Sequence, residues 1–129
     1  MSDQSVTIYV CTSCRTEGQP LEPRADRAGA RLCAALGEAV SAEDTSGITV
    51  VPVECLSVCK RPVTIGFAAP GKWTYIYGDF AGETPEAAVA TILDGARRFA
   101  ETSDGLIPWK ERPDALKRGV IARVPPFAA

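Results

Sequence analysis

At 129 residues the chain is the length of one ordinary domain, enough to bury a single core without staples. Its 46% hydrophobic and 23% charged residues are close to globular averages, and no run approaches the roughly 18 apolar residues that a membrane helix needs, so a soluble protein without a membrane partner is expected. A net charge of −2 with no basic stripe argues against nucleic acid, and the absence of histidine means that any site must be built chiefly from sulfur.

The first residues, Met1-Ser2-Asp3-Gln4-Ser5, lack both a basic start and a following apolar stretch, so no secretory signal is visible and a reducing cytoplasm is the expected location. Ser5 to Val10 is short, β-branched and aromatic, which predicts a strand, and it runs into Cys11-Thr12-Ser13-Cys14-Arg15. After a loop containing Gly18 and Pro20, Leu32, Leu36 and Val40 recur at helical spacing. They predict an amphipathic helix from about Arg24 to Val40, with Pro23 suited to its first turn. The polar stretch from Ser41 to Gly47 reads as a loop. Ile48 to Val53 is strand-like, although Pro52 removes one ladder donor and points to a sheet edge or a strand end. This segment delivers a second thiol pair, Cys55 and Cys59, followed by Lys60 and Arg61. Pro62 to Ala68 and Lys72 to Tyr77 flank the turn signal Pro70-Gly71 and predict an antiparallel hairpin. Thr84-Pro85-Glu86 combines an N-cap candidate, a proline at the first helical position and an acid in the first turn. It opens a second helix to about Ala100, with Val89, Ile92, Leu93, Ala96 and Phe99 on one face.

The order β-α-β-β-β-α lets the first two strands lie parallel through a right-handed helical crossover, with the hairpin completing a mixed sheet. This is the minimal thioredoxin-like α/β architecture, expected over residues 1–103. The loops after its first and second strands can open at the same end, where the two cysteine pairs would meet. Residues 104–129 form a Pro-rich basic extension of net charge +2, leaving −4 before it. Its prolines predict irregular structure, apart from a turn or two of helix near Pro113 to Arg118. Leu106, Ile107 and Trp109 are expected to pack the extension on the domain, and a basic partner-docking arm is the functional alternative.

The cysteines admit three chemistries. A C-x2-C after a strand and before a helix is a redox placement, in which the helix N-terminus favours a thiolate; alone it would indicate a dithiol oxidoreductase. Cys55 and Cys59 count against that reading, since such an enzyme needs no second pair. Four converging thiolates make a metal site instead. A structural zinc ion held by Cys11, Cys14, Cys55 and Cys59 satisfies the usual pair spacing. A 2Fe-2S cluster does so equally, because two pairs from separate loops divide naturally between two irons. Arg15, Lys60 and Arg61 beside the pairs suit either anionic centre, and small Thr12, Ser13 and Ser57 leave backbone amides free to donate to sulfur.

Other residues carry less. Cys33 falls at the border of the buried helical face and reads as a packing cysteine. Trp73, Tyr75 and Tyr77 alternate along a strand and share a face, where covering the sheet or a subunit interface is the simplest role. Gly66, Gly78 and Gly82 show no phosphate-loop spacing, and no carboxylate pair suggests acid–base catalysis.

The frame of strand, Cys11-x2-Cys14, helix, strand, Cys55-Leu56-Ser57-Val58-Cys59, hairpin and helix resembles the thioredoxin-like 2Fe-2S ferredoxins and the related small subunit of NADH dehydrogenases. The whole chain, including Cys11-Thr12-Ser13-Cys14 and Ile107-Pro108-Trp109-Lys110-Glu111-Arg112-Pro113, is similar to a bacterial family of uncharacterised predicted metal-binding proteins often found near cobalamin-biosynthesis genes. The ferredoxin resemblance covers about Ser5 to Ala100. It implies a cluster on Cys11, Cys14, Cys55 and Cys59, one-electron transfer with a redox partner protein, no enzymatic activity of its own, and a homodimer paired through the sheet. The second pair matches the ferredoxin spacing; the first is closer-set than in those ferredoxins, and the tail lies beyond their pattern.

Overall fold

Val6, Ile8 and Val10 alternate with Thr7 and Tyr9, so an extended chain here places one apolar row against a core, and strand β1 spans Val6–Cys11. The structure, a computed structural model, describes residues 5–15, 23–42, 47–56, 60–80 and 84–126. Strand β2, Ile48–Val53, runs parallel to β1, with Val10 opposite Pro52 and Cys11 opposite Val53. It lies at the sheet edge, where the missing Pro52 N–H is tolerated. Strands β3 (Ile65–Ala68) and β4 (Thr74–Tyr77) form the expected hairpin, and β3 pairs antiparallel with β1.

Helix α1, Ala28–Ala42, starts later than its apolar spacing predicts. A short 3-10 turn at Arg24–Asp26 follows Pro23, and then Arg27 is extended, at φ −66° and ψ 148°. That break turns the Arg27 side chain inward, where it is almost fully buried and donates from Nη1 to the Ser13 carbonyl at 3.4 Å. Helix α2, Pro85–Glu101, has Thr84 as its N-cap, whose hydroxyl accepts from the Ala87 amide at 3.2 Å. Leu32 and Leu36 of α1 share one core with Ile92, Leu93, Ala96 and Phe99 of α2 and with Val6, Ile8 and Val10 of β1. Each fully buried side chain of this size contributes about 1.5–3 kcal/mol. Both helices therefore lie on one face of the sheet. Tyr9, Val51 and Ile76, on the other face, are only half-buried.

The extension is more regular than its proline content suggests. The helix expected near Pro113 is present as α3, Asp114–Arg118, with Leu116 fully buried. Beyond it Val120–Val124 adds strand β5, antiparallel to β4, and the sheet order is β2-β1-β3-β4-β5. Prolines at 108, 113, 125 and 126 bracket these elements instead of interrupting them. Ile107 is buried and Leu106 packs on the core, but Trp109 is 58% exposed, contrary to the expected packing. Trp109 opens a 3-10 turn, and its ring lies within 5.6 Å of the Arg112 guanidinium and 5.7 Å of the Lys117 amine. These cation–π contacts hold the indole at the surface without burying it. Tyr75 and Tyr77 cover the helix-facing side of the sheet, stacked at 5.6 Å.

Candidate metal centre

The parallel pairing of β1 and β2 brings their C-terminal ends together, as the element order predicts. Cys11 is the last residue of β1 and is buried; the chain then turns through Thr12 and Ser13 to Cys14, also buried. The turn is pinned from both sides. The Thr12 amide and hydroxyl both donate to the Val53 carbonyl of β2, at 2.9 and 3.1 Å, and the Cys11 amide donates to the Thr64 carbonyl at 3.0 Å. From α1, the Gly29 amide donates to the Cys14 carbonyl at 3.0 Å.

Of the four predicted ligands, the structure joins Cys11 and Cys14 directly. Cys55 lies in the loop after β2 and is exposed. Its neighbours reach the first pair: the Glu54 carbonyl lies 3.9 Å from Cys11 Sγ, and the Leu56 amide donates to that sulfur. Cys59 lies outside the described residues. Among the described residues no three cysteine or carboxylate side chains converge as a finished metal site. Cys33 packs against the core one helical turn beyond Gly29, and burial pushes its thiol up.

The two buried thiols are electrostatically unequal. Burial disfavours the Cys11 thiolate, but hydrogen bonds from Cys14, the Leu56 amide, Ser13 and Thr64 outweigh it and hold Cys11 below the ordinary thiol value. Burial, reinforced by the neighbouring Cys11, pushes Cys14 up to about 11. A soft, sulfur-only donor pair of this kind fits a zinc ion or an iron–sulfur cluster, since a bound cation stabilises both thiolates where water cannot. The depression beside the turn, about 220 Å³ and lined by Thr12, Ser13, Arg24, Ala25, Ala30 and Glu54, is open. Arg24 and Glu54 form an exposed ion pair in it, at 3.6 Å.

Three residues around the sulfurs escape a sequence reading. Thr64 is fully buried just before β3, and its hydroxyl lies 3.6 Å from Cys14 Sγ. Its only trace in the sequence is one polar residue between Val63 and Ile65. Gly29 lets α1 approach the cysteine turn, and a glycine in an otherwise alanine-rich helix is the available hint of such close packing. Arg27 holds the turn through Ser13 and reads, in sequence, as one more charge on a solvated helix start.

The second loop is anchored beyond the thiols. Arg61 pairs with Asp79 through two contacts, at 3.2 and 2.6 Å, and reaches the Arg118 carbonyl at 3.5 Å, so the extension touches the segment that follows Cys59.

Among solved structures, the chain is similar to a thioredoxin-like [2Fe-2S] ferredoxin from Aquifex aeolicus, with a TM-score of 0.59 and 20% identity. The alignment covers 97% of this chain and 98% of that one. At this identity the likeness establishes a thioredoxin-like fold. It also extends well past Ala100, so the extension lies within the shared architecture and not beyond it. No curated protein matches the sequence. Residues 8–126 match the family described as Protein of unknown function (DUF1636), and the chain is a member of that family.

Proposed function

We propose that this protein is an electron carrier that holds one 2Fe-2S cluster through Cys11, Cys14, Cys55 and Cys59. The observation that carries the proposal is the pinned turn that buries Cys11 and Cys14 side by side, with the backbone on either side of Cys55 in contact with Cys11 Sγ. When bound, such a cluster supplies one-electron transfer. The protein's part is to fix two sulfurs, supply amide and hydroxyl donors to them, and exclude water from Cys14. The ferredoxin neighbour of the same fold supports this reading, as do Arg15 and Lys60, which directly follow the two cysteine pairs in sequence and suit an anionic centre.

Partners follow from the same reading. A redox protein docks at the cysteine end, and a second copy pairs on the sheet face that carries Tyr9, Val51 and Ile76, where a Cβ at Gly66 would lie 3.1 Å from Ile76 Cδ1 and 3.9 Å from Tyr9 Cβ. The resemblance to proteins encoded near cobalamin-biosynthesis genes points to a corrin or cobalt reduction step as the acceptor.

A dithiol oxidoreductase is the second reading, favoured by the unequal pair of a lowered Cys11 and a raised Cys14. Anaerobic reconstitution with iron and sulfide separates the two. The carrier shows broad visible absorption, bleached by dithionite and lost in Cys55→Ser. A colourless protein that binds one zinc rejects the cluster in favour of a structural ion. Full disulfide reductase activity in Cys55→Ser favours the dithiol enzyme.

A further inference from the structure

We infer that Thr64 is a positioning residue for this centre, resting on the cluster reading above: its hydroxyl donates a hydrogen bond to Cys14 Sγ and thereby raises the reduction potential. One residue grips both ends of the C-x2-C turn, since its carbonyl accepts from the Cys11 amide at 3.0 Å and its hydroxyl lies 3.6 Å from the Cys14 sulfur. With a thiol, either atom can donate. A metal-bound thiolate can only accept, so the hydroxyl becomes the donor.

Burial makes this bond hard to replace. Thr64 has 0% exposure, so a hydroxyl turned away from Cys14 meets only the neighbouring Cys11 sulfur and no bulk water, and the hydroxyl stays a donor to the thiol pair. The second hydroxyl at the pair, on the Cys11 side, differs. Ser13 Oγ is 3.7 Å from Cys11 Sγ on a half-exposed turn where water can substitute for it. A donor to a ligating sulfur stabilises the more negative, reduced state, and a low local dielectric strengthens that effect. Thr64 thus acts on the centre without being a ligand, and it does so from a strand entrance far in sequence from the first cysteine pair.

The test uses the full chain, reconstituted anaerobically with iron and sulfide and titrated spectroelectrochemically. Thr64→Val keeps the shape and removes the hydroxyl; its midpoint moves negative, with about a tenfold fall in the equilibrium constant for reduction. Thr64→Ser retains the donor and stays within about threefold of wild type, as does Ser13→Ala. An unshifted Thr64→Val overturns the inference, and so does a Thr64→Ser shift as large as that of Thr64→Val, which would assign the effect to packing. Thr64→Ala carries the same comparison if Thr64→Val does not fold. If wild type binds zinc and no iron, the cluster reading fails separately. The variants are then compared with Co(II) in the site: loss of the donor moves the thiolate-to-cobalt band to longer wavelength, and an unmoved band overturns the role of Thr64.

Discussion

A Cβ placed on Gly29 would lie 1.9 Å from the carbonyl oxygen of Cys11, so the first turn of α1 is pressed against the end of β1 more closely than any side chain permits. Gly29→Ala must push the helix away from the cysteine turn and break the bond from its own amide to the Cys14 carbonyl. We expect a loss on the order of 3 kcal/mol or more. At Gly37, in the same helix, a methyl group would meet nothing within 4 Å, and Gly37→Ala should stabilise by about 0.5–1 kcal/mol. Urea unfolding of both variants decides the matter; equal midpoints would refute the close approach.

Lys72 caps the end of α2 from the β3–β4 turn. Its amine donates to the Phe99 and Ala100 carbonyls at 3.2 and 2.9 Å and lies 5.5 Å from the Phe99 ring centre. Lys72→Met keeps the buried stem but leaves those carbonyls short of a donor, at a cost of about 1–3 kcal/mol. Amide exchange should quicken in the last turn of α2 before it does in β1. Unchanged stability would remove the capping role.

The metal-free, reduced protein should show a pH dependence that belongs to the cysteine pair. Cys14, raised from 9.0 to about 11, contributes stability that is complete below pH 9 and is lost as pH climbs toward 11. Cys11, lowered, contributes in the opposite sense: its share is present above pH 9 and is lost as pH falls through its folded value. The pair alone therefore gives a maximum near pH 9. Other groups also titrate there, so the measurement is the difference between wild type and Cys14→Ser in urea at pH 9 and 10.5. It should narrow by roughly 1–2 kcal/mol at the higher pH, and a constant difference would contradict the buried placement of Cys14.

Trp109 should be energetically nearly silent for folding. Its ring is more than half exposed, so Trp109→Phe is expected to change stability by less than about 0.5 kcal/mol. In a Trp73→Phe background, iodide should quench the remaining indole readily, helped by Arg112 and Lys117 beside it. A protected emission would place the indole inside.

The sequence exposes what depends on periodicity and turn chemistry. Alternation in Val6–Val10, the Pro70-Gly71 turn and the Thr84-Pro85-Glu86 cap each suffice to locate an element, and their order implies a sheet with both cysteine loops at one end. Strand β5 is hidden because Val120 to Val124 is short, carries Arg123, and follows a proline-rich stretch; its stability comes from pairing with β4, a long-range effect that local composition does not encode. At the site, spacing picks out Cys11 and Cys14 but cannot reveal Thr64, Gly29 or Arg27. Their roles are set by contacts across distant segments, and none carries a distinctive chemical signature. The delayed start of α1 has the same origin, since helical spacing registers apolar residues and not the inward turn of Arg27.

Because β5 lies beyond α2 in the chain, β4 stays a bare sheet edge until the segment after α2 has docked. Until then β4, with Tyr75, Ile76 and Tyr77, presents an open row of amides and carbonyls flanked by large apolar side chains, the profile that invites a neighbouring molecule to add on. Strand β5 thus covers that row of β4 and guards it against fibre-like growth. Pro52 gives the opposite margin of the sheet a gap in its own row of donors, which disfavours extension there.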